Sequence, residues 1–197
     1  MAERTEPYHH GNLKAVLIKA AFQVIGKLGV DGLTLREIAR RAGVSHNAPY
    51  RHFKSKEDLL AALATDSLRQ LTGSVREAVD AESKENLRLR AAARAYLEYA
   101  LKNPARFSLT FHAAFDRESY PEYVVAYTDS LALLAELIQV HLKDVDTELA
   151  SELIWSSVHG ISELGLAKRL RHGDRKQLEE LADMSVTTLL AGLRSGA

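Results

Sequence analysis

The stretch from Gly32 to Leu60, GLTLREIARRAGVSHNAPYRHFKSKEDLL, constrains the fold of this chain most, because it reads as two short helices joined by a tight turn. Thr34 stands at an N-cap. The helix after it carries Leu35, Ile38, Ala39 and Ala42 on one narrow apolar face, and Glu37 at its third position completes a capping box. Gly43 follows Ala39 by four and supplies the chain reversal that glycine makes at a helix C-terminus. Val44 is placed to plug the angle between the helices, and a second helix is expected from about Ser45.

Beyond this motif nearly every segment shows helical spacing, and neither alternating β-branched runs nor Asn-Gly hairpin signals occur, so the spacing predicts an all-α protein of about nine helices. The first runs from Asn12 to Leu28, with Leu13, Leu17, Ala20, Ala21, Val24 and Leu28 on one face and Gly29 as its end. After the two helices of the motif, a long fourth begins at the N-cap Ser55 and continues towards Val79. Five more are expected: Leu87 to Leu101, stopped by Asn103-Pro104, then Pro104 to Phe115, Glu122 to Leu142, Thr147 to Arg171 and Arg175 to Leu193. Polar turns at Lys143 to Asp146 and His172-Gly173-Asp174 separate the last three.

Composition removes several function classes. Without cysteine there is no disulfide, thiolate zinc site or thiol nucleophile, and a reducing compartment is compatible with every feature. MAERTEPYHHGN has no apolar core for a signal peptide, and no uninterrupted apolar stretch reaches spanning length, so a cytoplasmic protein without a membrane partner is expected. The net charge of zero hides a split: residues 1 to 65 hold 10 Lys/Arg against 6 Asp/Glu, a difference of +4, and the remainder holds 16 against 20, or −4. A basic head on an acidic body suits contact with phosphates.

In order, an amphipathic helix ending in Gly29, TLREIARRAGVS, Tyr50-Arg51-His52-Phe53 and Lys54-Ser55-Lys56-Glu57-Asp58-Leu59 resemble the tetracycline-repressor (TetR) family of bacterial transcriptional regulators, over about Leu13 to Leu63. The resemblance implies a helix-turn-helix DNA-binding head over residues 1–60. It also implies a helical ligand-binding and dimerisation domain over residues 61–197. Ser45, His46, Asn47 and Ala48 are the candidate base readers: Asn47 can pair bidentately with adenine and the Ala48 methyl can meet a thymine methyl. By resemblance Tyr50, His52 and Lys56 contact backbone phosphate, Thr34 and Arg36 hold the other strand, and Phe53 packs in the head. Such contacts fix register rather than sequence. Pro49 departs from the family pattern; lacking an amide hydrogen, it requires the third helix to start late or with an irregular first turn.

Aromatics concentrate further on. Tyr96, Tyr99, Phe107, Phe111, Phe115, Tyr120, Tyr123 and Tyr127 are eight of thirteen. Phe107, Phe111 and Phe115 recur every four residues, and Tyr120, Tyr123 and Tyr127 at three and four, so the two stripes can face each other. Such stripes fit a plain core as well as a cavity wall; buried tyrosine hydroxyls need partners, which favours a pocket with polar handles. The resemblance implies a small-molecule site, with Tyr96, Tyr99, Phe107, Phe111, His112, Phe115, Tyr123, Tyr127, Trp155 and His159 as its candidates. Trp155 with His159-Gly160 matches a TetR subgroup named for those residues, the Trp/His-Gly (WHG) subgroup. His159 and Glu163 lie one turn apart and His112 approaches from the helix of Phe111, but histidines without tight spacing read as hydrogen-bonded groups, so no metal and no cofactor are assigned.

Leu153, Val158, Ile161 and Gly165, with Leu181, Val186, Leu189, Leu190 and Leu193, give the last two helices more apolar surface than one thin body buries. By resemblance they pair with a second copy as a four-helix bundle, making a homodimer that reads an inverted repeat. The expectation is a repressor released by a small molecule that shifts the fourth helix; an activator of the same family is the alternative. An α-helical enzyme using His112, His159, Glu163 or a tyrosine is disfavoured, since no nucleophile motif, phosphate loop or metal signature accompanies them.

Overall fold

The computed structural model describes residues 13–112, 115–142, 145–171 and 173–195, except for the side chain of His112. Among them are eight α-helices and no strand: α1 Leu13–Leu28, α2 Leu35–Ala42, α3 Lys56–Ala81, α4 Arg88–Lys102, α5 Pro104–His112, α6 Pro121–His141, α7 Thr147–Leu166 and α8 Arg175–Ser195. The expected ninth is missing because the segment after Gly43 is not an α-helix. It is a turn over residues 46–48 followed by one 3₁₀ turn, Pro49–Arg51. A regular helix from Ser45 would need the amide of residue 49 to donate to the Ser45 carbonyl, and proline has none. The Ala48 amide takes that carbonyl instead at 3.0 Å, and the His52 and Phe53 amides both close on Pro49 O at 2.9 Å.

Helix ends follow their residues. The Thr34 hydroxyl accepts from the Glu37 amide at 3.1 Å, and Gly43 caps α2 at φ 69° with ψ 29°, a left-handed backbone that would strain any residue with a Cβ. The capping box is only half formed, because the Glu37 carboxylate instead holds the Arg40 guanidinium at 2.6 and 2.8 Å. At α3, Ser55 Oγ accepts from the Asp58 amide at 3.0 Å and the Asp58 carboxylate accepts from the Lys54 amide at 2.9 Å. Two ends differ from expectation. α7 stops at Leu166, where Lys168 turns to φ 52°, and Phe115 lies outside α5. Asn12, Ala113, Ala114, Lys143, Asp144 and His172 lie outside the described residues.

The head core unites Leu17, Ala21 and Val24 of α1, Leu33, Leu35 and Ile38 around α2, Phe53, and Leu59, Leu60 and Leu63 of α3. Leu28, assigned to the buried face of α1, is 57% exposed, and Ile25 is buried in its stead. Leu109 of α5 also belongs to this core, and the Arg106 guanidinium lies 3.7 Å from the centre of the Phe22 ring. α3 then runs on between α4, α5 and α6, while α8 packs on α4 and α7. Within that body Val158, Ile161, Val186 and Leu190 are buried by the chain's own helices, and a Cβ on Gly165 would come within 2.9 Å of Leu178, so this glycine serves contact between α7 and α8 of one subunit. On these two helices the large apolar residues left outside are Leu149, Leu153 and Leu164 of α7 and Met184 of α8; Val124, Val125 and Val140 of α6 are exposed as well. α6 has the length and apolar content of a membrane span, mean hydropathy 1.3; Asp129 and Glu136 interrupt it, and Tyr123, Ala126, Leu133, Leu137 and Ile138 are buried against the rest of the body.

Candidate functional site

Two features stand apart from the packed interior, one in the head near the start of α3 and one in the body beside its middle. The first is an open concavity lined by Arg36 of α2 and by His46, Asn47 and Tyr50 of the irregular segment. Pro49 and Phe53 are buried beneath it, which forces the residues between and before them outward: Ser45, His46, Asn47, Tyr50, Arg51 and His52 are exposed and Ala48 is half-buried. Thr34 and Lys56 are exposed as well. Among the described residues Arg36, Arg51, Lys54 and Lys56 make no ion pair, whereas Arg40 is neutralised by Glu37 and Arg41 donates to Gln23 Oε1 at 3.1 Å. Cations without a carboxylate partner beside short hydrogen-bonding side chains make a surface that can take phosphates and base edges.

The second feature is a cavity of about 90 Å³ in the body. Its wall is formed by Leu68, Leu71, Thr72 and Val75 of α3, Leu89, Ala92, Ala93 and Tyr96 of α4, Phe111 of α5, Tyr127, Ser130, Leu131, Leu133, Leu134 and Leu137 of α6, and Ile154, Trp155 and Val158 of α7. Four of the expected ligand residues, Tyr96, Phe111, Tyr127 and Trp155, therefore face it. Phe107, Phe115, His159, Tyr99 and Tyr123 do not line it. The Tyr99 hydroxyl donates to Ser67 O at 3.1 Å and that of Tyr123 to Thr110 O at 3.4 Å, so both act as core residues with satisfied polar tips. Burial pushes Tyr99 up to about 12 and raises Tyr123 too.

The aromatic stripes meet only in part. Phe115 packs edge-on against Tyr120 and Tyr123, and Tyr123 stacks on Tyr127. Phe107 and Phe111 turn the other way, towards Tyr96, Trp155 and His159, with the Phe111 and His159 ring centres 4.6 Å apart. There the Trp155 indole N–H donates to the Tyr96 hydroxyl at 3.2 Å, and that hydroxyl lies 2.9 Å from His159 Nδ1. An indole nitrogen only donates, so the tyrosine oxygen accepts from Trp155, and the direction of its contact with His159 Nδ1 follows the imidazole tautomer. Burial raises the Tyr96 hydroxyl above its ordinary range, which keeps it protonated.

The leucines of the cavity wall, with Thr72 and Ser130, are absent from the expected site. Their signal was present in the spacing of Leu68, Leu71, Thr72 and Val75, an apolar stripe on α3 beyond the head, but such a stripe reads equally as plain core.

Comparison with known proteins agrees with this geometry. The profile of the bacterial regulatory proteins of the tetR family matches residues 17–63, and that of the tetracyclin repressor-like C-terminal domain matches residues 89–189. The tetracycline repressor protein class A from transposon 1721 of Escherichia coli is 46% identical over 54 residues, 27% of this chain and 25% of that protein. A Rhodococcus sp. RHA1 protein of unknown function is 32% identical in solved structure, with a TM-score of 0.83 over 96% of this chain and 99% of its own. The regulator FadR of Bacillus subtilis, in complex with stearoyl-CoA, is 18% identical, with a TM-score of 0.74 over 90% and 98%.

Proposed function

This chain belongs to the TetR family of bacterial regulatory proteins and is a DNA-binding transcriptional regulator; on that premise we propose that it is a dimeric repressor, released from an inverted-repeat operator by a small molecule held in the body. The observation that carries the reading is the single helix α3, whose first turns belong to the head core and whose middle lines the body cavity. Head, residues 1–60, and body, residues 61–197, are thus joined by one rigid element. A ligand that widens the cavity displaces the same helix that carries the head.

Arg36, Tyr50, His52, Lys56 and Thr34 act on phosphates, and Ser45, His46, Asn47 and Ala48 on bases. Leu149, Leu153, Leu164 and Met184 form the face that meets the second copy. Trp155 and His159-Gly160 support the WHG subgroup. The two heads of such a dimer read half-sites about 34–36 Å apart.

The test is selection of bound sites from fragmented genomic DNA and random duplexes by the purified protein at near-physiological salt. An enriched inverted repeat supports the reading, and a pool without a shared sequence refutes it. With the operator in hand, a cavity ligand is expected to weaken its binding roughly 5- to 150-fold, a coupling of about 1–3 kcal/mol. A ligand that occupies the cavity and leaves operator affinity unchanged refutes the release mechanism.

A further inference from the structure

Thr72, a half-buried residue whose hydroxyl oxygen is itself buried, breaks a pattern that the buried threonines Thr65 and Thr110 keep. The hydroxyl of Thr65 donates to Ala61 O at 2.7 Å and that of Thr110 to Arg106 O at 2.9 Å, each satisfied by the carbonyl one turn back. The Thr72 hydroxyl, also on a helix, is buried with no hydrogen-bond partner, and Thr72 stands in the wall of the body cavity. Buried polar groups in native proteins are satisfied by protein, ordered water or ligand; the Ser67 hydroxyl on the same helix also lacks a protein partner but does not line the cavity, whereas Thr72 does, where a bound molecule can reach it.

The rest of the wall narrows what that partner is. Among the described residues, no Asp, Glu, Lys, Arg or His side chain lines the cavity. The Ser130 hydroxyl donates to Tyr127 O at 2.7 Å, and the Tyr96 hydroxyl is held between Trp155 and His159. An ionised group placed inside would lose its water with nothing to replace it. Size adds a second limit. The cavity volume is about 90 Å³ and its wall is built mainly of leucine, valine, alanine and aromatic side chains, so a small, mainly hydrocarbon molecule fits it.

We propose that the body cavity takes an uncharged, small, mainly hydrocarbon molecule bearing one hydroxyl or carbonyl, held through the Thr72 hydroxyl. This rests on the reading of the body as the effector domain and names the class of effector.

The chain carries a single tryptophan, Trp155, in the cavity wall, so the emission of the full-length protein reports occupancy. Titration at neutral pH with 1-octanol, octanoate and octylamine is expected to give a saturable shift with the alcohol and at least about tenfold weaker binding of both charged analogues. Thr72→Val, which keeps the shape and removes the hydroxyl, is expected to weaken octanol binding about three- to tenfold, and Thr72→Ser to restore it, with both variants melting as the wild type does. Octanoate or octylamine binding as tightly as octanol, no response to any of the three, or an unchanged octanol affinity in Thr72→Val each overturns the proposal. Operator release read in parallel separates the two claims. Octanol bound without release upholds the ligand class and refutes the effector role. Release by a charged cavity ligand with octanol inert does the opposite.

Discussion

Asp183 on α8 is buried, and two arginines of α4 converge on it: Arg90 Nη2 at 2.5 Å and Arg94 Nε at 2.8 Å. Burial alone would raise its carboxyl, but the hydrogen bonds from Arg94 and Arg90 outweigh it and hold the group below the ordinary aspartate range. Asp183→Asn is expected to lower stability by about 1–3 kcal/mol, read as a lower denaturant midpoint with unchanged slope. Because the folded-state value is the lower one, this contribution is complete above the unfolded value near ~3.9 and fades as pH falls through the folded one. The gap between wild type and variant therefore stays constant at neutral pH and closes only in acid. On the DNA face single residues separate two effects. Lys56→Ala is expected to weaken binding to all duplexes alike and to reduce the salt slope by about 1, whereas Asn47→Ala relaxes preference at one base by about 1–3 kcal/mol and leaves the slope unchanged. Binding to selected and scrambled duplexes at several salt concentrations distinguishes them, and equal behaviour of the two variants would count against the division of roles.

Elements were legible in the sequence wherever a local rule decides them. Thr34, Gly43, Ser55 and Pro104 each stand where a cap or a break is dictated by one residue's own chemistry, and each helix begins or ends there. The segment after Gly43 shows the opposite: a polar, groove-facing pattern says helix, and the missing amide of Pro49 says turn. Restoring that amide is a direct check. Pro49→Ala is expected to change stability by no more than about 1 kcal/mol, to raise helical ellipticity, and to alter the bases enriched in site selection while the salt slope holds. An unchanged selected sequence would mean that the 3₁₀ turn does not aim His46 and Asn47. The cavity was less legible, because a leucine lining a cavity and a leucine filling a core follow the same spacing. Only the packing of five helices against one another decides between them, and Tyr99 and Tyr123, alike in sequence to Tyr96 and Tyr127, fall on the filled side.

At the scale of the whole molecule the apolar remainder matters most. Leu149 and Met184 are 62% and 61% exposed on α7 and α8, the two helices assigned to pairing. Leu149→Arg combined with Met184→Arg is expected to give a monomer by analytical ultracentrifugation at micromolar concentration and to abolish binding to a two-half-site duplex. Val125→Arg, at an equally exposed position of α6, leaves the dimer intact. A double variant that still sediments as a dimer would move the interface elsewhere.

One contact carries a consequence for how such proteins can be taken apart. Leu109, far along the chain in α5, is 1% exposed within the core formed by α1, α2 and the start of α3, and Arg106 covers Phe22 beside it. The head is therefore not a detachable cassette. Cut after residue 60, it would lose Leu63 and Leu109 together and expose the hole they fill. A chimera that swaps this reader onto a foreign body would have to bring α5 with it, so specificity and sensing in this protein are inherited as a joined pair rather than as interchangeable parts.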